Sequence, residues 1–409
     1  MINTDLTLKK GTYTQNYLNK QDIVRIEVFI LKNIIFVAEV RNPYIHGSST
    51  QIMTYNLLAG LRAYADNLQF IAILDKGCPK EPIFKYYKKL VDTIIPVYTK
   101  TNLELYKGRK YMQLFNTLRA YVTSFWYKKI ANYIKLKADT ILISHSPSEE
   151  CIFICKEIKK KYPHIKYIQY WSDPIALSGI YPEKFNIKRY PMYFIERSLL
   201  KKADKIVYGT KTLMDFQKVM YKKYSSKMNY VDISYSPNNI VENKDKDLKN
   251  RYLFGYSGNY MKRTRNIMPL YQAFSNNKQA NLFICGTGDA DLMSKDNIKI
   301  AHRYPQSEIN KIEAKLDVIV CICNHSCFQI PGKVFYQTNT DKIILIILDG
   351  KYAEEIRSYL EEFNRFEFCY NNQESISAAI DKICSNQCKV NLSYVTKLSP
   401  QYIAAKLCE

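Results

Sequence analysis

The chain has 409 residues, of which 60 are Lys or Arg and 38 are Asp or Glu, so its formal net charge is +22 at pH 7. Hydrophobic residues make up 47% of it, which excludes a globally disordered chain, and the length suggests two domains. The longest apolar runs, at 318–323 and 343–348, are far shorter than the ~18 residues that a membrane-spanning helix needs.

Short apolar runs alternate with longer amphipathic stretches through the first half of the chain. The apolar runs predict strands, at 33–40, 69–74, 91–98, 139–144, 165–171 and 204–208. The amphipathic stretches predict helices, at 50–66, 82–89, 110–137, 147–161 and 189–202. Strands that alternate with helices are typical of a parallel sheet that is covered on both faces.

A second series of the same kind begins near residue 251. The predicted strands lie at 252–257, 280–285, 298–301, 316–323, 343–348 and 366–370. The predicted helices lie at 265–276, 306–315, 331–340, 351–362 and 373–385. A charge-rich segment at 241–250 predicts a linker between domains at 1–240 and 251–390, and 391–409 ends in a short amphipathic helix. The fold class is therefore α/β with two doubly wound domains, and the cleft between them is the expected ligand site.

Three loops that follow predicted strands of the first domain carry candidate catalytic groups. His46 could act as a base and Gly47 allows close approach of a ligand, although a plain glycine turn with a helix cap explains that loop equally well. His145 follows another strand, so its imidazole is expected to face the cleft; a loop histidine bonded to backbone is the alternative. Asp173 is a candidate base for a hydroxyl, or a turn aspartate.

The loop that opens the second domain has the chemistry of an anion site. Gly258 and Asn259 form a tight turn after a strand, and Lys262, Arg263 and Arg265 cluster beside the start of the next helix. Cations and free backbone N–H groups together suit a phosphate. A solvated basic loop is the alternative.

A later strand-to-helix loop adds a second cation. Pro331 and Gly332 open a predicted helix, and Lys333 places an ammonium group in its first turn, where it could pair with a diphosphate. Tyr336 and Gln337 follow one turn later, near enough to contact a base or a ribose.

Two clusters could in principle bind a metal ion. Asp289 and Asp291 form a DxD pattern, which can hold a divalent cation but is frequent by chance. Cysteine and histidine side chains cluster at 321–327, but the spacing lacks a second pair of ligands and two of the cysteines lie on a predicted buried strand. We therefore expect no resident metal ion and no cofactor.

The remaining signals concern the compartment and the partners. The eleven cysteines are scattered and odd in number, so a disulfide framework is not expected. The first ten residues lack the apolar core of a signal peptide, which predicts a cytoplasmic protein. No nucleic-acid recognition motif accompanies the basic charge, so nucleic acid is not an expected partner.

Taken together, four stretches of the chain resemble the GT-B fold glycosyltransferases, close to their broad group four. They are ADKIVYGTKTLMDF with the following YSPNNI, YLFGYSGNYMKRTRNIMPLYQAF, ANLFICGTGD and QIPGKVFYQTNTDKIILII. The resemblance covers most of the chain and is strongest in its second half. The chain departs from the family pattern at Tyr336 and Gln337, which stand where a ribose-binding Glu is expected, and near Phe328, where the first Glu of a pair would fall.

The resemblance implies two Rossmann-like domains facing a cleft, with a C-terminal helix that crosses back to the first domain. It implies that the second domain binds a nucleotide-sugar, with Arg265 and Lys333 on the donor diphosphate, and that the first domain binds the acceptor. Gly47 would approach the diphosphate, and His145 would lie near the donor sugar. The expected activity is sugar transfer to a saccharide acceptor, such as a lipid-linked oligosaccharide, in capsule, O-antigen or exopolysaccharide synthesis.

Other functions fit parts of this pattern. A nucleotide-sugar epimerase shares the fold and would need no acceptor. A GT-A transferase would use Asp289 and Asp291 with manganese. A basic protein that binds nucleic acid or an anionic membrane needs no catalysis at all. A face of the first domain with lysines at 85, 88, 89, 128, 129 and 159–161 could rest on an anionic membrane, as a peripheral protein would.

Overall fold

A computed structural model describes most of the chain in enough detail to place its elements. The described residues are 31–40, 49–74, 78–79, 81–98, 130–131, 134, 136–137, 139–146, 149–176, 190–237, 251–393 and 395–409. The predicted linker at 241–250 lies outside them, as does almost all of the predicted helix at 110–137.

The first domain contains a seven-stranded parallel sheet. Its strands are β1 (Leu31–Glu39), β2 (Ala65–Leu74), β3 (Thr93–Tyr98), β4 (Thr140–Ser146), β5 (Lys166–Trp171), β6 (Lys205–Tyr208) and β7 (Met228–Tyr230), in the order β3-β2-β1-β4-β5-β6-β7. The helices described in this domain are α1 (Ser49–Arg62), α2 (Glu81–Tyr87), α3 (Glu149–Lys161), α4 (Tyr190–Leu200) and α5 (Lys211–Met220). Successive residues Ile34, Ile35, Phe36 and Val37 of β1 are all buried, because helices cover both faces of a parallel sheet.

The second domain contains a six-stranded parallel sheet. Its strands are β8 (Leu253–Ser257), β9 (Asn281–Cys285), β10 (Ile298–Ala301), β11 (Val318–Ile322), β12 (Ile343–Leu348) and β13 (Phe366–Tyr370), in the order β10-β9-β8-β11-β12-β13. Its helices are α6 (Met268–Asn276), α7 (Gln306–Ala314), α8 (Lys333–Tyr336), α9 (Ala353–Glu361) and α10 (Gln373–Cys384). The strand order reverses between β8 and β11, and such a switch point leaves a crevice at the carboxyl ends of the strands.

The C-terminal helix α11 (Pro400–Cys408) packs against α1 of the first domain. The ammonium group of Lys166 donates to the carbonyl of Cys408 at 2.8 Å, and that of Lys205 donates to the carbonyl of Lys406 at 3.1 Å. Cations at the C-terminal end of a helix donate to its last carbonyls and interact favourably with the negative end of its dipole. The two doubly wound sheets and the returning helix therefore confirm the predicted fold class.

Close contact between α1 and α11 makes a testable prediction at Gly60. A Cβ atom added there would collide with the backbone carbonyl of Pro400 and come 3.0 Å from the Cβ of Ala404. Gly to Ala within a helix ordinarily stabilises by about 1 kcal/mol. We expect the opposite sign for Gly60→Ala, with urea unfolding showing a loss of about 1–3 kcal/mol because overpacking forces the helices apart. A gain in stability would contradict this packing.

Three elements differ from the sequence prediction. The helix α5 and the short strand β7 were not predicted. A third difference is that the helix predicted at 331–340 shrinks to the four residues of α8. Beyond α8 the chain continues in i→i+3 turns, as from the N–H of Thr340 to the carbonyl of Gln337 at 3.1 Å. The buried guanidinium of Arg365 binds this turn, donating to the carbonyls of Thr340 and Lys342, both at 2.7 Å, and to that of Thr338.

All eleven cysteines are free thiols, as predicted. Among the described residues, no helix combines the length and the apolar character that crossing a bilayer requires.

Candidate functional site

A cleft of about 400 Å³ opens between the two domains. On the first-domain side it is lined by Ser49, Ile52, Tyr55, Asn56, Tyr86 and Ser236. On the second-domain side it is lined by the turns that follow β8, β9 and β10, by α7, and by the turn that leads into α8. The carboxyl edge of the second sheet thus forms one wall, where the fold is expected to bind ligands.

Two glycine turns form the part of this wall nearest the switch point. The backbone N–H of Gly258 donates to the carbonyl of Cys285 at 2.9 Å, which joins the turn after β8 to the turn after β9. A Cβ atom at Gly286 would collide with the Gly258 carbonyl. The side-chain oxygen of Asn259 accepts from the hydroxyl of Thr287 at 3.3 Å. The predicted residues Gly258 and Asn259 both line the cleft, on a surface of bare backbone that a ligand can approach closely.

Of the two arginines in the basic loop after β8, one lines the cleft and the other does not. Arg265 lines the cleft, and its Nε donates to the side-chain oxygen of Asn324 at 2.8 Å, which orients the guanidinium. Arg263 is exposed and is not among the residues that line the cleft. Asp289 accepts the backbone N–H of Lys262 at 2.9 Å, so this carboxylate of the DxD pattern closes the loop.

Lys333 lies at the end of β8 and already has protein partners. Its ammonium group donates to the carbonyl of Ser257 at 3.0 Å and to the hydroxyl of the same residue, and it forms an ion pair with Glu313 at 2.5 Å. Glu313, on α7, also accepts from the Ser257 hydroxyl and from the side-chain amide of Gln337, each at 2.6 Å. Glu313, Lys333 and Gln337 all line the cleft, and they form one hydrogen-bonded network there.

Sequence reasoning missed Glu313. The sequence signal for it was nevertheless present, because it stands four residues after Ile309 and three before Leu316. Those two positions are buried, so the carboxylate occupies the apolar face of the helix, where an acidic group needs a partner.

Tyr336 connects the two domains across the cleft. Its hydroxyl donates to the carbonyl of Ser49 at 2.9 Å and lies 2.7 Å from the hydroxyl of the same residue. A Cβ atom at Gly332 would come within 2.6 Å of that tyrosine oxygen, so a larger residue there would push the Tyr336 hydroxyl away from its place beside Ser49. Tyr336 and Gln337 line the cleft as predicted contacts of a base or ribose, but their polar atoms are engaged with protein groups.

Two further cleft residues were not predicted. Arg303 and Tyr304 follow β10, are exposed, and line the cleft on the same side as Arg265. They stand in a strand-to-helix loop of the second domain, as the other cations do, so position in the fold was the available signal. The cleft therefore carries Arg265, Arg303 and Lys333, with Glu313 against the last of them.

His145 does not face the cleft, contrary to the sequence prediction. Its side chain is 1% exposed, and its Nδ1 lies 2.9 Å from the hydroxyl of Thr54 on α1. The rings of Phe36 and Tyr170 pack beside it. Burial lowers the pKa of His145 to about 3, because the charged imidazolium would lose its hydration there. The strand end turns this ring into the core, and its assigned catalytic role stays a prediction.

The buried imidazole predicts a pH dependence of folding. Its folded-state pKa is lowered from 6.5 to about 3, so the unfolded chain binds a proton that the folded chain excludes. Stability therefore falls as pH decreases through this window, by up to about 1.4 kcal/mol per unit. We expect His145→Asn to flatten the difference in unfolding free energy between pH 6.5 and pH 4 in urea titrations. Parallel curves for the two proteins would contradict a buried neutral ring.

The structure describes the surroundings of only one of the other candidate residues, Asp173. Asp173 is half-buried and accepts from the hydroxyl of Ser172 at 3.2 Å. Desolvation raises the pKa of this carboxyl, and Asp173 is not among the residues that line the cleft. Its role as a base stays a prediction. His46 and Gly47 lie outside the described residues.

The cysteine cluster at 321–327 has the environment of a core. Cys321 and Cys323 are buried on and just after β11, and burial raises the pKa of the Cys321 thiol to about 12. A thiol must lose its proton to bind zinc, and this environment opposes that loss. Among the described residues, no group of three or more His, Cys, Asp or Glu side chains is arranged to hold a metal ion.

Comparison with protein-family models and with curated proteins found no match. Solved structures share the architecture. Sucrose-phosphate synthase from Thermosynechococcus elongatus has a TM-score of 0.58 at 10% identity, covering 92% of this chain and 95% of that one. HepE from Anabaena, in complex with UDP and glucose, has a TM-score of 0.54 at 10% identity, with coverage of 92% and 95%. A UDP-N-acetylglucosamine 2-epimerase has a TM-score of 0.50 at 8% identity, with coverage of 92% and 91%. The chain therefore has the two-domain GT-B fold that these proteins share.

Proposed function

We propose that this protein is a glycosyltransferase that moves a sugar from a nucleotide-sugar donor to a saccharide acceptor. The observation that carries the proposal is the cleft wall at the carboxyl edge of the second sheet. There Arg265, Arg303 and Lys333 stand beside the backbone turns of Gly258 and Gly286. Fixed cations beside bare backbone suit a diphosphate. HepE, which has the same fold at low identity, binds UDP.

The chemistry follows from that wall. Breaking the bond between a sugar and a nucleoside diphosphate places negative charge on the leaving phosphate. Oriented cations in a cleft stabilise that charge, so the proposal needs no resident metal ion. Closure of the first domain over a bound donor would limit water, which would otherwise hydrolyse the donor. Asp173 is the proposed base for the acceptor hydroxyl.

The acceptor would bind the first-domain wall. Tyr86 is 44% exposed on the cleft, and its ring centroid lies 4.8 Å from that of Tyr55 and 4.9 Å from that of Tyr87. Ser49 and Asn56 add polar groups beside these rings. A fixed aromatic surface with hydroxyl and amide neighbours suits the apolar face and the hydroxyls of a sugar.

Product analysis tests this function directly. UDP-glucose and UDP-N-acetylglucosamine would each be incubated with the protein, alone and with a panel of saccharides that includes lipid-linked oligosaccharides. A transferase releases UDP and lengthens the saccharide only when an acceptor is present. Conversion of the donor sugar to its epimer without an acceptor would favour the second candidate, a nucleotide-sugar epimerase, which the shared fold of the 2-epimerase supports.

Peripheral membrane association is the finer part of the proposal, together with a cytoplasmic location and a role in surface polysaccharide synthesis. Lys85, Lys88 and Lys89 are exposed around α2. Lys160 and Lys161 on α3 are exposed as well, whereas Lys159 pairs with Asp204 at 2.8 Å, and the lysines at 128 and 129 lie outside the described residues. The membrane face would therefore use the exposed lysines around α2 and on α3. Co-sedimentation with anionic vesicles that does not exceed that with neutral vesicles would contradict it.

A further inference from the structure

All three N–H groups of the Lys333 ammonium have acceptors within the protein. A lysine ammonium has three N–H groups and no acceptor. Its three acceptors here are the carbonyl of Ser257, the hydroxyl of Ser257 and the carboxylate of Glu313. A phosphate that binds Lys333 must therefore displace one of them. The carbonyl is fixed at the end of β8, whereas the carboxylate stands on a side chain of a separate helix, α7.

Glu313 also cancels the charge that would attract a phosphate. Its side chain is 5% exposed and that of Lys333 is 25% exposed, so water screens the pair weakly. An incoming diphosphate would meet an ion pair with no net charge, and the carboxylate of Glu313 in that pair would repel it. The cations Arg265 and Arg303 line the same cleft, and neither has an ion-pair partner among the described residues.

The carboxylate keeps hydrogen bonds after it releases the lysine. The hydroxyl of Ser257 donates to one carboxylate oxygen, and the side-chain amide of Gln337 donates to the other, each at 2.6 Å. The buried acid is thus not left unpaired when the ligand binds, and the exchange avoids the large cost of an isolated buried charge. Gln337 is suited to donate to Glu313, because a glutamate in its place would put two carboxylates in contact.

We propose that Glu313 is an internal counter-ion that competes with the donor diphosphate for Lys333 and thereby limits the affinity of the cleft for nucleotide. The proposal rests on the proposed function, since it concerns the same phosphate site. Its consequence is weak retention of the nucleoside diphosphate product. Such a device favours release of the product, a step that often limits turnover.

The experiment compares Glu313→Gln with the wild-type chain by calorimetric titration, using inorganic pyrophosphate and UDP as probes. The amide keeps the shape and one of the two acceptor oxygens but loses the charge. We expect both probes to bind at least about tenfold more tightly, which corresponds to about 1.4 kcal/mol. Glu308→Gln is the matched control, because Glu308 lies on the same helix, is 48% exposed and pairs with Lys311 at 2.8 Å. It removes the same charge and should leave the affinity unchanged.

A double variant separates competition from general repulsion. In a Lys333→Met background, the gain from Glu313→Gln should largely disappear; an equal gain there would overturn the exchange. Unchanged or weaker binding by a folded Glu313→Gln protein would show that Glu313 only positions Lys333. If the wild-type chain binds UDP and the variant gains nothing, this inference alone fails. If the wild-type chain binds neither probe, the proposed function fails with it.

Discussion

Replacing Arg265 by alanine is expected to raise the dissociation constant for UDP by about ten- to a hundredfold. The guanidinium lines the cleft and is oriented by Asn324, so it can meet a phosphate without reorganising. Charge-assisted hydrogen bonds of this kind contribute about 1.5–3 kcal/mol. Turnover should fall further than affinity, because the charge on the leaving phosphate is largest in the transition state. Calorimetric titration with UDP and initial rates measure the two effects.

Arg263→Ala is the control for Arg265→Ala. Arg263 stands two residues away, is exposed and does not line the cleft. Its replacement by alanine therefore removes the same charge without changing the site. We expect its UDP affinity to stay within about twofold of wild type, because exposed charges at longer range are screened by salt. Equal losses in the two variants would assign the effect to the net charge of the loop, and would remove Arg265 from the site.

Gly286→Ala is expected to abolish nucleotide binding and to destabilise the second domain by about 1–3 kcal/mol. The added methyl group would collide with the backbone carbonyl of Gly258, and a backbone atom cannot rotate away as a side chain can. The turns after β8 and β9 would have to separate, which breaks the surface where the phosphate is proposed to bind. Urea unfolding and UDP titration on the same preparation measure both losses.

Gly258→Ala separates the collision from the backbone conformation. The two glycines have nearly the same φ, +159° at Gly258 and +157° at Gly286, so the conformational cost of a side chain is shared. At Gly258 the methyl group would meet the Tyr256 side chain at 3.5 Å or more, which is ordinary van der Waals contact. We expect the milder loss from Gly258→Ala. Equal losses would show that backbone conformation, and not the contact between the turns, sets the cost.

Much of the fold was predictable because both sheets are covered by helices. Their strands then read as continuous apolar runs, as at β12, where Ile344 to Leu348 are buried throughout. The errors arose where tertiary contacts accompany a local structure or where an element is very short. The guanidinium of Arg365 binds the turn that follows α8, and it stands 25 residues beyond Thr340, outside the reach of any local sequence pattern. The strand β7 has only three residues, too few for a periodic pattern to reveal.

The sequence also predicted some features of the candidate site and missed others. Position at a strand end predicted that Gly258, Asn259, Arg265 and Lys333 would lie together, and they line one cleft. Position alone did not predict direction. His145 ends a strand but its ring turns into the core towards Thr54. The partner of Lys333 could not be predicted either, because Glu313 reaches it through tertiary packing of α7.

Thermal-shift measurements with UDP, GDP, dTDP and CMP test most directly whether the cleft binds a nucleotide. A ligand that binds only the folded chain raises its melting temperature, by the equivalent of about 2.7 kcal/mol at a hundred times its dissociation constant. We expect at least one nucleoside diphosphate to raise the melting temperature of the wild-type chain and of Arg263→Ala, and to have little effect on Arg265→Ala. No shift with any nucleotide, or equal shifts in all three proteins, would contradict a diphosphate site in this cleft.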